Sequence, residues 1–94
     1  MNMLISLAVP SQPTLKTVSI GVTSAQTVTL TASNLLVQSD VACFVLRGTN
    51  PVATTSCLPL LANTQYRLTG MQEGEKLAII TASGTGTFSY VPGV

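Results

Sequence analysis

Apolar and polar positions alternate along much of the chain, and the alternation has a period of two. In residues 16–23, Val18, Ile20 and Val22 fall on one side and Thr17, Ser19 and Gly21 on the other. Residues 26–32 repeat the pattern, with Val28, Leu30 and Ala32 set against Thr27, Thr29 and Thr31. Successive side chains of a strand point to opposite faces, so both runs predict half-buried antiparallel strands with a threonine-rich outer face. Residues 41–47 depart from this rule: Val41, Ala42, Cys43, Phe44, Val45 and Leu46 are apolar without a break. Such a strand is expected to be covered on both sides.

The C-terminal third reads as three strands, residues 65–70, 76–82 and 87–91. Gln72, Glu73 and Gly74 break the first pair, and residues 83–86 break the second. Read as a hairpin turn, the second break pairs Ala82 with Thr87 and sets Ile79 opposite Tyr90. Leu77, Ile79, Phe88 and Tyr90 then share a core face. Residues 52–57, after a turn of Gly48, Thr49, Asn50 and Pro51, read as a short edge strand. Residues 33–40 and 58–64 read as connections.

Short strands at regular spacing predict an all-β fold. The expectation is a single antiparallel β-sandwich of about seven strands, residues 14–94, preceded by an extended N-terminal arm, residues 1–13. The expected core is Val18, Ile20, Val22, Val28, Leu30, Phe44, Leu46, Leu68, Leu77, Ile79, Phe88 and Tyr90. The corner at residues 66–77 resembles that of fibronectin type III and related immunoglobulin-like domains. Met71 matches the family's apolar position and Gly74 its turn glycine. Gln72-Glu73 lacks the family's proline, and Leu77 stands where the family has tyrosine. The resemblance implies an immunoglobulin-like order, with the third, sixth and seventh strands in one sheet.

Composition changes the picture at the surface. The 94 residues suffice for one domain. Only 7% of them are charged, which leaves little to keep a β-domain apart from its neighbours. The basic residues Lys16, Arg47, Arg67 and Lys76 are scattered and the net charge is +1, so nucleic acid is not an expected partner. The chain lacks histidine, which excludes Ser-His-Asp and Cys-His catalysis. Asp40, Glu73 and Glu75 read as loop and turn residues, and Gly84-Thr85-Gly86 as a turn rather than a phosphate loop. Cys43 and Cys57 are expected to be reduced. No enzyme activity, cofactor, metal or small-molecule substrate is expected. No apolar run reaches the ~20 residues of a membrane span, and the N-terminus carries no basic residue before its apolar stretch. The expectation is therefore synthesis in the cytoplasm, without a membrane.

Two candidate interfaces follow. Met3, Leu4, Ile5, Leu7 and Val9 make the arm too apolar to stand free; it is expected to pack as a first strand on its own domain or, the favoured reading, to lie on a neighbouring subunit. In the implied immunoglobulin order, Val41, Cys43, Val45, Ala78, Ile80, Ala82 and Val91 point outward from one sheet. Apart from Cys43, these are the expected contact residues. The alternative is a long loop, such as 58–64, folded over that face. The pattern from Thr69 to Tyr90, TGxxxGEKLAIITASGTGTFSY, resembles short structural proteins of tailed bacteriophages. An apolar β-sandwich with an N-terminal arm is similar to their capsid decoration or cement proteins. That resemblance implies a homo-oligomer located in the virion, bound to the major capsid protein and stabilising the shell. The alternatives are a head–tail or fibre subunit, or an adhesive or ligand-binding β-module.

Overall fold

A computed structural model describes Val9 and residues 14–93 of the chain. Eight strands follow one another: β1 (Lys16–Ile20), β2 (Ala25–Gln26), β3 (Leu35–Ser39), β4 (Cys43–Gly48), β5 (Leu58–Leu60), β6 (Gln65–Leu68), β7 (Lys76–Ile80) and β8 (Gly86–Pro92). They form two four-stranded antiparallel sheets, ordered β1-β8-β3-β6 and β2-β7-β4-β5. The all-β antiparallel sandwich is as expected, with eight strands in place of seven.

The connectivity differs from the immunoglobulin order. Strands pair 1 with 8, 2 with 7, 3 with 6 and 4 with 5. The chain is thus one long antiparallel ribbon whose closed end is the β4–β5 connection. The ribbon folds on itself so that β8 lies beside β3 and β7 beside β4. This is a jelly roll, the eight-stranded double-sheet solution to the edge problem. The fourth and seventh strands are neighbours, as the third and sixth expected segments were. The last strand, however, lies in the opposite sheet.

The link between β7 and β8 accounts for the difference. Residues 81–85 are short enough for a hairpin, but Thr81 is buried and directs the chain across the sandwich. Its backbone N–H donates to the Gly21 carbonyl (2.9 Å) and its hydroxyl to the Gly84 carbonyl (2.8 Å). Leu77 and Ile79 therefore meet Phe88 and Tyr90 between the sheets, not side by side in one sheet. Gly86, which opens β8, lies under the β3–β4 corner, where any Cβ would collide with Val41 and the Asp40 carboxylate.

The core joins Ile20, Leu30, Leu35, Val37, Cys43, Val45, Leu60, Met71, Leu77, Ile79, Phe88 and Tyr90. Val18 and Leu68 pack against it half-buried. Several expectations are corrected. Residues 33–40 are not a connection: β3 supplies Leu35 and Val37, both fully buried. Val22 and Val28 are exposed, because the chain leaves strand conformation after Ile20 and again after Gln26. Along 27–30 the chain instead hugs β7, with Thr27 N–H donating to the Leu77 carbonyl and Leu30 N–H to the Glu75 carbonyl, both 2.8 Å. The buried Thr27 hydroxyl accepts from Leu77 N–H (3.1 Å). Strand β5 falls at Leu58–Leu60, and residues 52–57 form a loop.

Candidate functional site

The outer face of the β2-β7-β4-β5 sheet is set by its register. Phe44 pairs with Ile80 and Leu46 with Ala78, while Val45 pairs with Ile79 on the core side. Strand β4 thus sits one residue out of phase with the expectation. Cys43 and Val45 are core residues, and Phe44 and Leu46 point outward. A strand apolar on both faces carries no phase in its own sequence, and a shift of one residue exchanges the faces completely.

Part of this face is covered by the chain itself. The 49–57 loop leaves β4 and crosses the sheet to the β2 edge. There the Gln26 side-chain amide donates to Asn50 Oδ1 (3.1 Å) and to the Pro51 carbonyl (2.7 Å). Ala53 N–H donates to Ser24 Oγ (2.9 Å). Pro51 and Ala53 on the inner side of the loop are buried, as is Ala78 on β7, and neither alanine belongs to the inter-sheet core. A loop over this face was an expected alternative, but it is 49–57 rather than 58–64. Beyond its reach Phe44 and Ile80 remain half-buried, and Leu46 (41% exposed) stays open to solvent.

The expected contact residues therefore scatter. Ala78 and Ile80 belong to this face, with Ala78 buried, and Ala82 lies in the link beyond β7. Val45 is in the core, and Val41 is half-buried at the β3–β4 corner, packed against the core. Val91 lies on the other sheet, beside Leu36. Val9 is exposed, and Met3, Leu4, Ile5 and Leu7 lie outside the described residues. Phe44, Leu46, Val52 and Leu58 are surface apolar residues that period-two reading did not single out. The run Cys57-Leu58-Pro59-Leu60-Leu61 was the available signal, since a strand bearing proline belongs at a sheet edge.

The outer face of β1-β8-β3-β6 is of a different character. Register aligns Thr17, Ser89, Gln38 and Gln65 in one row across all four strands. A shallow groove of about 380 Å³ runs over it, lined by Gln38, Gln65, Thr87 and Ser89 and reaching Leu36 and Val91. Asp40 closes one end, its carboxylate accepting from Thr87 N–H (2.8 Å).

Charge is concentrated at the β6–β7 corner. Gly74 there adopts a φ of 86°, which favours glycine. Glu75 Oε1 accepts from Gln72 N–H (2.7 Å) and from Arg47 Nη1 (2.9 Å). The Gln72 N–H, and to a lesser extent Arg47, hold this carboxyl below its usual range against the opposing effect of burial. Cys43 and Cys57 are both free, and burial pushes the Cys43 thiol up, away from the thiolate that reacts or binds metal. Among the described residues no three His, Cys, Asp or Glu side chains cluster closely enough to hold a metal ion. No protein-family model, curated protein or solved structure matches the chain.

Proposed function

We propose that this chain is a non-enzymatic structural subunit of a virion, a capsid decoration or cement protein that binds the major capsid shell and stabilises it. The observation that carries this reading is the outer face of β2-β7-β4-β5. Phe44, Leu46 and Ile80 form an apolar surface that the 49–57 loop leaves uncovered. Apolar surface of this kind marks contact sites, and a chain with so few charges has little else to hold neighbours off. The resemblance of residues 69–90 to phage structural proteins points the same way. Jelly rolls also recur in capsid proteins, an analogy of fold that does not by itself carry function. On this reading the protein is made in the host cytoplasm and works as an oligomer in the virion.

Mass spectrometry of purified particles tests the proposal. The chain should be present in fixed stoichiometry with the major capsid protein, and its absence from particles overturns the reading. A head–tail or fibre subunit would instead appear at a few copies per particle. The groove over Gln38, Gln65, Thr87 and Ser89 favours a second reading, an adhesive module for a neutral hydroxyl-rich ligand. A monomer that binds saccharides and ignores capsids would establish that one.

A further inference from the structure

The two open sides of the sandwich are not alike. On one side the β1 and β2 edges approach each other. On the other, β5 and β6 each border a single strand and frame a cleft of about 450 Å³ that opens between the sheets. The 61–64 link closes one end of this side, where Leu61 N–H donates to the Tyr66 hydroxyl (2.9 Å). At the open end the cleft is lined by Val45, Leu58, Leu68, Met71 and Leu77. Val45, Met71 and Leu77 are core residues, so the cleft reaches the interior of the sandwich. Leu58 stands at its mouth, 58% exposed.

Arg47 and Arg67 also line this cleft. They are two of only four basic side chains in the molecule. Arg47 is engaged by Glu75, in the only ion pair among the described residues. Arg67 is exposed on β6, and its strand neighbour across the sheet is Leu36. The cleft therefore has an apolar floor and Arg67 at its rim, and among the described residues it lies along unpaired backbone. The two edges are not equally available. Strand β5 has Pro59 at its centre, which has no N–H to offer a further strand. Strand β6 has no proline, and with β3 on one side alternate residues of Gln65–Leu68 present N–H and C=O groups at the other edge.

We propose that β6 accepts an extended segment of a partner protein in which large apolar residues alternate with carboxylates. Its backbone adds to the free edge of β6, its apolar side chains enter the cleft over Leu58, Leu68 and Met71, and its carboxylates, on the opposite face, meet Arg67. Strand addition takes affinity from main-chain hydrogen bonds and specificity from every second side chain. Charge complementarity selects the occupant. The chain's own N-terminal segment, residues 1–13, contains no Asp or Glu and does not fit the rim. The inference rests on the reading of the protein as a subunit that binds another protein, and it locates one contact of that subunit.

The test uses the full chain and three blocked pentapeptides, acetyl-Glu-Leu-Glu-Leu-Glu-amide and its Gln and Lys counterparts. The Glu peptide should bind at least tenfold more tightly than the Gln peptide, and the Lys peptide should not bind. Amide shifts in NMR spectra should centre on residues 65–69 and on Leu58. Arg67→Glu alters an exposed side chain, so the fold should persist while the preference reverses toward the Lys peptide. Equal binding of all three peptides, shifts elsewhere, or an unchanged preference in Arg67→Glu overturns the proposal. So does tighter binding of decanoate than of the Glu peptide, which would make the cleft a site for small amphiphiles. Peptide binding by a chain absent from particles would refute the virion reading alone. Particle incorporation without peptide selectivity would refute this inference alone.

Discussion

The outer faces of the two sheets grow from the same alternation of side chains, yet they end in opposite surfaces. On β1-β8-β3-β6 the outward row is Thr17, Ser89, Gln38 and Gln65, side chains that water satisfies without help. On β2-β7-β4-β5 the outward residues are Phe44, Leu46, Ala78 and Ile80, and the molecule uses nine residues of its own chain, 49–57, to cover part of them. A face that needs an internal cover and is still incompletely covered differs from one that needs none. Covering by a loop and covering by a partner are the same physical solution, removal of apolar area from water at about 25 cal/mol per Å². The difference between the sheets indicates where the molecule still has such area to remove.

That contrast can be broken at graded strength. The largest effect belongs to the core beneath both faces. Phe88→Ala should cost about 3–5 kcal/mol in a denaturant titration, because Phe88 is fully buried between the sheets. An unchanged midpoint would mean that the sheets do not share this core. Gly86→Ala should cost about 1–3 kcal/mol by overpacking against Val41 and Asp40, with little change in either outer face.

Loosening the loop comes next. Gln26→Ala removes two hydrogen bonds to Asn50 and Pro51, a loss of about 1 kcal/mol. It should also raise binding of a hydrophobic dye as the area over Ala78 opens, and no rise would mean that the loop stays in place without Gln26. The sharpest comparison pairs Ile80→Glu with Ser89→Glu. Both should remain folded. Ile80→Glu should abolish incorporation into particles, and Ser89→Glu on the polar sheet should leave it intact. If the two variants behave alike, the asymmetry between the faces has no role in assembly.

The smallest effect is acid dependence at the β6–β7 corner. The Glu75 carboxyl is held below its ordinary range in the folded protein, chiefly by the Gln72 N–H. Its contribution to stability is therefore complete above the unfolded carboxyl's range and is lost as pH falls through the folded value. Glu75→Gln should be slightly less stable than the parent at neutral pH, with the two converging in acid. Stability curves that stay parallel from pH 7 to pH 3 would remove Glu75 from that account.

Much of this architecture was legible in the chain, and the omissions share a cause. Alternation correctly marked β1, β6, β7 and β8 and the inward facing of Ile20, Leu77, Ile79, Phe88 and Tyr90. It failed wherever local pattern is silent about tertiary placement. Strand β3 has three apolar residues, Leu35, Leu36 and Val37, between Ser33-Asn34 and Gln38-Ser39-Asp40. Its strand character comes from lying between β8 and β6, which no local window contains. The uniform apolarity of β4 correctly foretold cover on both faces but left Val45 and Leu46 interchangeable. At residues 81–85 the same turn chemistry serves a hairpin and a crossing between sheets, and buried Thr81 decides between them. The expected contact surface inherited each of these errors, which is why Val45 and Val91 fall outside it. The edge cleft was not legible at all, because Leu58, Leu68 and Met71 border it from separate elements that only the ribbon's fold brings together.

That ribbon also dictates when the chain can fold. The central neighbours in the two sheets are β8 beside β3 and β7 beside β4. Residues 76–92 are therefore needed to complete either layer, and they are the last of the described strands to be synthesised. A chain made only as far as β6 has no complete sheet to join. Such non-local pairing is slow to form and leaves strand edges open meanwhile. Folding must wait until residues 76–92 have left the ribosome, and a nascent chain stopped before Lys76 should be degraded or aggregate rather than persist as a half-domain.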